Sequence, residues 1–369
     1  MPKLRRGEPA PAFEARTPSN PRFAFHTAAG RPILLVFLGT PAGAAAARLV
    51  KEVGELRSAF NDRDLALFYV ANDERAIERL GIAQALPGIR YFLDFDGRIS
   101  AQLGFSTTDG ASGSGLIETG AVLLDRALRG LETVVVADDD DRPVIAPLIE
   151  RVRKLAAWEA SAPNVNHAPV LVAERIFEPA FCRALIEYYE RHGGNDSGFM
   201  RERDGLTVLE LDHEVKRRTD CSIEDERIRR AANARVSGLL RPLIHRAFQF
   251  SATRMERHLV CRYDSMHGGF FSPHRDNTTK GTAHRRFAVT INLNAEEYEG
   301  GDLRFPEFGP QAYRAPTGGA IVFSCSLLHE ALPVTTGTRY AYLPFLYGEE
   351  DAALRERNRA FLADQTLRG

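Results

Sequence analysis

His274 and Asp276 stand two residues apart at the end of the run from Tyr263 to Asp276. In an extended strand, residues i and i+2 project to the same face, so one metal ion is within reach of both. A second histidine, His329, follows the apolar stretch 320–328 and can supply a third ligand from across a barrel. Two histidines and one carboxylate on one face of an octahedron leave three positions open. That set suits non-haem Fe(II), with room for a chelating 2-oxo acid and dioxygen, and it also suits a hydrolytic zinc ion.

Arg339 weighs between these readings. It stands ten residues after His329, beyond an expected turn at 335–338 and at the start of an expected returning strand at 340–346. A guanidinium inside a β-barrel is costly without a partner, and it matches a carboxylate bidentately. The C5 carboxylate of 2-oxoglutarate would satisfy it. H-x-D alone is common by chance, and lone histidines such as His245 and His258 read as surface or satisfied core residues. The specificity lies in the combination of the tyrosine-led H-x-D, the later histidine and the arginine.

Other polar groups read more blandly. Arg275, Asn277, Thr278, Lys280, His284 and Arg286 form a polar loop after the H-x-D, a solvated connection with substrate contact as the alternative. In the segment Lys216–Asp220, Thr219 or Asp220 reads as a cap for the helix that follows, with a pocket-edge role for Arg218 as the alternative. The acidic run Asp138–Asp141 reads as a solvated turn rather than a metal site.

The elements that must position these groups divide the 369 residues in two, since single cores stop growing at about 250–300 residues. Over the first 155 residues, apolar bursts at 32–38, 65–71 and 120–125 alternate with helical patterns at 43–61 and 73–80. This is the signature of an open α/β sheet with right-handed crossovers. A helix at 144–158 closes that region, and 159–169 has linker composition. The second part opens with a helix at 178–191 that ends at Gly193 and Gly194. A longer helix follows at 223–247, with Ile228, Leu239, Leu240, Leu243 and Ile244 on its apolar side. From 255 onward short strands dominate, which fits a β-sandwich or barrel buttressed by helices.

A net charge of -1, with 44% hydrophobic and 26% charged residues, gives no pull toward polyanions, so nucleic acid is not an implied partner. No secretory signal is visible, and no apolar run reaches the roughly 18–20 residues of a membrane span. Cys182, Cys221, Cys261 and Cys325 form no C-x-x-C pair, which fits a reducing compartment; the expected location is cytoplasmic.

Together with 298–306, 315–323 and 329–340, the site residues resemble the prolyl 4-hydroxylase-like branch of the Fe(II)/2-oxoglutarate-dependent dioxygenases, over roughly 170–348. The resemblance implies a double-stranded β-helix (jelly roll, cupin-like) with supporting helices in 170–369. It also implies hydroxylation of a C–H bond with O2, coupled to conversion of 2-oxoglutarate to succinate and CO2, with ascorbate as accompanying reductant. In that scheme His274, Asp276 and His329 hold Fe(II) and Arg339 holds 2-oxoglutarate. Tyr263 hydrogen-bonds the co-substrate, and Asn292 or Thr290 faces the same pocket. Many prolyl hydroxylases have a tyrosine where Asn292 aligns, which leaves that contact open. Asp276, in place of a small residue, argues against halogenation. The implied substrate is prolyl, peptidyl or amino-acid-like. The alternatives are an oxygen- or 2-oxoglutarate-sensing or partner-binding protein, and a zinc hydrolase.

The segments 7–13, 30–37, 92–98 and 122–129 resemble an α/β thioredoxin-like domain of the peroxiredoxin kind, over 1–158. Peroxiredoxins place their nucleophilic cysteine at the start of the helix after the first core strand, where the helix N-terminus lowers its pKa. This chain has Gly39–Ala46 there and no cysteine before Cys182. Thiol chemistry is therefore excluded in this region, and packing, homodimerisation or substrate presentation is the expected use.

Overall fold

Strands β1 (Ile33–Phe37) and β2 (Ala66–Ala71) are buried along their whole length, as uninterrupted apolar runs require of strands covered on both faces. The computed structural model describes residues 2–107, 116–161 and 167–363; the centre of the expected linker, 162–166, lies outside them. The chain forms two compact units, Met1–His167 with Pro306–Gly309 and Ala168–Phe305 with Pro310–Gly369. Among the described residues no helix is long and apolar enough to cross a membrane.

In the first unit β3 (Ile89–Leu93), β4 (Gly120–Leu124) and β5 (Gly130–Val135) complete a mixed sheet of order β3-β2-β1-β4-β5. Strands β1 to β3 run parallel, while β4 and β5 are antiparallel additions. Helix α1 (Ala44–Glu55) follows β1, α2 (Glu74–Arg79) follows β2, and α3 (Ile145–Ser161) comes last. Leu49 and Val53 of α1 pack in one core with Ile145, Leu148 and Ile149 of α3.

The acidic run forms the expected exposed turn, and from it Asp138 also reaches the start of α1. Its Oδ1 accepts the Ala45 N–H at 2.8 Å, and Arg48 donates to the carbonyls of Asp138 and Ala137. Gly43, the N-cap of α1, has no side chain for the task, so a carboxylate 93 residues away does it. A Cβ on Gly43 would meet that carboxylate at 2.4 Å. The helix start at which a peroxiredoxin would hold its cysteine is thus filled by an anion.

The second unit carries α4 (Pro179–His192), α5 (Glu226–Arg235) and α6 (Arg241–Phe248), the last two joined by a π turn at Val236–Leu240, and α7 (Glu349–Asn358). The expected helix at 223–247 is therefore present but phase-shifted. The wider turn brings Val236, Leu240 and Ile244 inward, and Leu239, expected on the apolar side, is 48% exposed.

Besides a separate hairpin of Phe199–Arg203 with Leu206–Glu210, its strands are β6 (Leu171–Ala173), β7 (Asn195–Asp196), β8 (Lys216–Arg217), β9 (Thr219–Ser222), β10 (Arg254–Glu256), β11 (Leu259–Asp264), β12 (Phe270–His274), β13 (Phe287–Asn292), β14 (Tyr298–Gly300), β15 (Leu303–Arg304), β16 (Ala312–Tyr313), β17 (Ala320–Ser324), β18 (His329–Ala331), β19 (Val334–Tyr342) and β20 (Phe345–Tyr347). They form a large antiparallel sheet, β6-β17-β13-β19-β11-β9-β7, to which β20 adds by pairing with β10 and β13. A smaller sheet has the order β8-β12-β18-β15-β16.

Alternation along the large sheet separates two faces. Val260, Val289, Ile291, Val322, Tyr340 and Tyr342 join the core shared with α4, α5 and α6. Leu259, Cys261, Tyr263 and Ala341 point the other way and pack with Phe271 and Ala331 of the small sheet. By the same alternation Thr290, Asn292 and Arg339 belong to that inner face. The expected turn at 335–338 is absent: β19 is one strand from Val334, and Gly337 takes a φ of +75° while pairing with Tyr298 of β14.

Candidate metal centre

His274 ends β12, and its register partner across the small sheet is His329 of β18. The His274 Nδ1 lies 2.8 Å from the Ser272 carbonyl, and the His329 Nδ1 lies 3.0 Å from that of Leu327. A carbonyl only accepts, so each Nδ1 carries the proton and each Nε2 lone pair is free. The backbone N–H of Asp276 donates to the Cys325 carbonyl at 2.9 Å, tying the second residue after β12 to the residue that follows β17. Asp276 Oδ1 is then 3.6 Å from His274 Nε2, and Oδ2 is 3.4 Å from His329 Nε2.

One ligand atom from each of the three residues falls within 4.8 Å of the others, the spacing of groups around a single small cation. Burial opposes ionisation of Asp276, but His329 and then His274 outweigh it and hold the carboxyl well below its usual range. Burial, with His274 beside it, pushes His329 down to about 4, the neutral form a metal requires. Phe271 stacks on the His274 ring at 3.5 Å, and Phe323 lies 4.5 Å from that of His329, fixing both planes.

Arg339 is the register partner of Tyr263 and is 2% exposed. Its Nη1 donates to the Gly301 carbonyl at 2.6 Å, and its Nε has no acceptor. The guanidinium lies 5.1 Å from the centre of the Tyr263 ring. Gly300 and Gly301 both take positive φ, +70° and +68°, and a Cβ on Gly301 would stand 3.2 Å from Arg339 Cδ. This double glycine brings the backbone against the arginine stem. Among the described residues no carboxylate pairs with Arg339; its nearby acid, Asp302, is taken by Arg314.

The sequence pattern of the 2OG-Fe(II) oxygenase superfamily matches residues 258–347, the span from β11 to β20 that contains all four groups. The second unit carries a 2OG-Fe(II) oxygenase domain. A PKHD-type hydroxylase of Delftia acidovorans is 41% identical to this chain over 88 residues, which cover 22% of the chain and 38% of the relative. The match is thus to well under half of that relative's length. The solved prolyl-4-hydroxylase of Pseudomonas putida superposes with a TM-score of 0.39 at 18% identity, covering 49% of this chain and 94% of that one. A peroxiredoxin 6 of Arenicola marina superposes with a TM-score of 0.33 at 14% identity, covering 42% of this chain and 75% of that one.

Fe(II) and 2-oxoglutarate are the metal and co-substrate that the superfamily implies. The residues of the oxygenase domain fit both: two neutral imidazoles and a carboxylate face one point, and a buried guanidinium retains an unused N–H. Asn292 Nδ2 donates to the Ala315 carbonyl at 2.7 Å while its buried Oδ1 has no donor, and Thr290 is buried on the same face.

The polar loop departs from both expectations at His284, while Lys280 and Arg286 are exposed, as a solvated connection requires. His284 is buried against Glu256 at 2.9 Å, Arg286 pairs with Asp351, and Lys280 lies over the Phe361 ring. These three have structural partners already.

The capping expectation at 219–220 also fails. Thr219 bonds the Tyr189 hydroxyl at 2.6 Å and Asp220 takes Arg218 at 2.7 Å, while Asp225 caps α5 through the N–H groups of Arg227 and Ile228. Arg218 itself is buried, and its Nη1 reaches the Tyr263 hydroxyl at 3.4 Å. Sequence spacing left it as a pocket-edge alternative; its alternation with Lys216 and Asp220 was the available signal.

Proposed function

We propose that the protein is an Fe(II)- and 2-oxoglutarate-dependent hydroxylase. In this reading His274, Asp276 and His329 hold the metal through Nε2, carboxylate and Nε2. The bound iron and 2-oxoglutarate together supply an oxidant that inserts one atom of O2 into a substrate C–H bond, with release of succinate and CO2. The chain's own residues orient and desolvate. Arg339 receives the C5 carboxylate, Tyr263 donates its hydroxyl toward the same group, and Asn292 and Thr290 line the same pocket from the neighbouring strand. The substrate is a prolyl, peptidyl or amino-acid-like molecule, in keeping with the names of the hydroxylases it resembles.

The observation that carries this reading is Arg339: a buried guanidinium bonded to one carbonyl and to no carboxylate calls for an anionic ligand. A zinc hydrolase would leave it without a role. Residues 1–158, within the first unit, are read as a thioredoxin-type scaffold, supported by three parallel strands continued by two antiparallel ones and by the Asp138 carboxylate at the start of α1. The test is succinate formation from 2-oxoglutarate with Fe(II) and ascorbate, alongside anaerobic binding of 2-oxoglutarate to the Fe(II)-loaded protein. Neither turnover nor binding would sink the proposal.

A further inference from the structure

Segment 216–222 passes from the small sheet to the large one at Arg218, between β8 and β9. Asp220 is the register partner of Cys261, an inner-face residue, so Asp220 and, two and four residues before it, Arg218 and Lys216 project toward the space between the sheets. Lys216 is 4% exposed and Arg218 is 7% exposed.

The contacts place this segment around the site. The Lys216 ammonium lies 4.6 Å from the centre of the Phe271 ring, the ring that stacks on His274. Arg218 reaches Tyr263, the partner of Arg339. Arg257 pairs with Asp220 at 3.2 Å and lies over the Phe345 ring, as does Arg285, whose Nη1 donates to the Asp276 carbonyl at 3.5 Å. The chain of contacts from Asp276 to Arg339 therefore runs through Arg285, Phe345, Arg257, Asp220, Arg218 and Tyr263.

Charge in this ring does not balance. Arg218 and Arg257 share the one carboxylate of Asp220, whose Oδ1 has no donor. Lys216 donates only to the Ser197 hydroxyl at 2.7 Å and the Gly198 carbonyl at 2.6 Å, both neutral. Arg218 Nε, inside a side chain 5% exposed, has no acceptor. The nearby Glu256 is taken by Arg285, His284 and Arg355. Burial first, and Arg218 second, push Lys216 well below its ordinary range. On the proposed function, 2-oxoglutarate brings its free carboxylate to Arg339, and the excess at Lys216 and Arg218 remains. Buried cations in this number are stable only beside an anion.

We propose that Lys216 and Arg218 form a second anion-binding position, beside the co-substrate site, that receives a carboxylate of the primary substrate. This rests on the reading of the site as a 2-oxoglutarate-dependent hydroxylase and narrows its substrate to an acid. Arg257, whose side chain is 32% exposed, is the outermost member of the cluster and the first cation an entering acid meets.

The test uses the full chain loaded anaerobically with Fe(II) and 2-oxoglutarate, titrated calorimetrically with matched acids and amides: N-acetyl-L-proline against N-acetyl-L-prolinamide, and N-acetyl-L-leucine against N-acetyl-L-leucinamide. Each acid is expected to bind about ten-fold tighter than its amide, the gain from one charge-assisted contact. In Lys216→Met and Arg218→Met that ratio falls toward one, while 2-oxoglutarate binding, read before the acid is added, stays within about three-fold. A ligand-free Lys216→Met chain should melt no lower than wild type, since it loses a buried charge that no carboxylate compensates; a variant that fails to fold would mark Lys216 as structural and overturn its assignment. Equal affinity within both pairs, or binding of neither acid, overturns the second anion position alone. A wild-type chain that does not bind 2-oxoglutarate overturns the hydroxylase reading and this inference with it.

Discussion

Replacing Arg339 by methionine separates binding from folding. Arg339 makes one hydrogen bond, to the Gly301 carbonyl, and leaves Nε unused, so in the ligand-free protein the guanidinium is a buried charge with little compensation. A methionine of similar volume removes that burden, and replacing such groups by apolar ones is commonly neutral or stabilising by about 1–4 kcal/mol. With 2-oxoglutarate bound the balance reverses. The C5 carboxylate then faces a cavity without its cation, and breaking one side of a buried pair costs about 3–5 kcal/mol. At the lower end this is roughly 100-fold in Kd.

Anaerobic titration of the Fe(II)-loaded protein measures it, with 2-oxobutyrate as the control that lacks the distal carboxylate. Wild type should prefer 2-oxoglutarate by about the same roughly 100-fold factor, and Arg339→Met should bind both equally and weakly. Its ligand-free melting temperature should equal or exceed that of wild type. The opposite pair of results, unchanged 2-oxoglutarate affinity with a melting temperature lower by more than about 4 °C, would show a structural arginine and refute the reasoning.

Gly301→Ala forces a Cβ onto a backbone at φ +68° and to 3.2 Å from Arg339 Cδ. Left-handed backbone at an alanine costs about 1–2 kcal/mol, so both a lower melting temperature and a raised 2-oxoglutarate KM are expected, and a KM equal to wild type would contradict the packing. Burial opposes ionisation of Asp220, but Arg218, Lys216 and Arg257 outweigh it and bring its pKa to about 2, below its ordinary 3.8. Between those values the unfolded chain takes up a proton that the folded chain does not. Stability present above about pH 4 is therefore lost as pH falls toward 2, some 2 kcal/mol in all. Urea midpoints across that window should fall less steeply for Asp220→Asn, which is also about 3 kcal/mol less stable at pH 7 because Arg218 loses its partner; an unchanged slope would dissociate Asp220 from the acid limb. Leu240→Ala should cost about 2–5 kcal/mol and Leu239→Ala no more than about 0.5. Equal losses in chemical denaturation would contradict the π turn.

What was legible in the sequence follows from how far each signal reaches along the chain. The apolar runs at 32–38, 65–71 and 120–125 announce buried strands because each run contains its own evidence. The H-x-D spacing does so for two candidate ligands, since alternation in one strand decides which way both point. Arg339 was legible as an inner-face arginine, but the start of its strand was not. Thr335, Gly337 and Thr338 have turn composition, and pairing with β14, together with that of Thr338 with Asp264 of β11, keeps them extended. Leu239 shows the same limit on a helix: one extra residue in the π turn rotates everything after it, and a 3.6-residue period has no way to register the insertion.

Charge is the property that local reading handles worst. Asp138 looks like one member of a solvated acidic run until a contact across 93 residues makes it the cap of α1. Lys216, Arg218, Arg257 and Arg339 are ordinary basic residues in three short stretches of sequence. Register between β9, β11 and β19 brings the first three around Asp220 and sets Arg339 beside Tyr263, and there the excess of positive charge becomes a statement about what the site must bind. Lowering that excess by two charges with a single substitution such as Lys216→Glu would leave the strands in register and the metal ligands in place. The charge argument then requires the acid preference to be lost while affinity for the matched amide persists, a separation that a purely structural role for Lys216 does not produce.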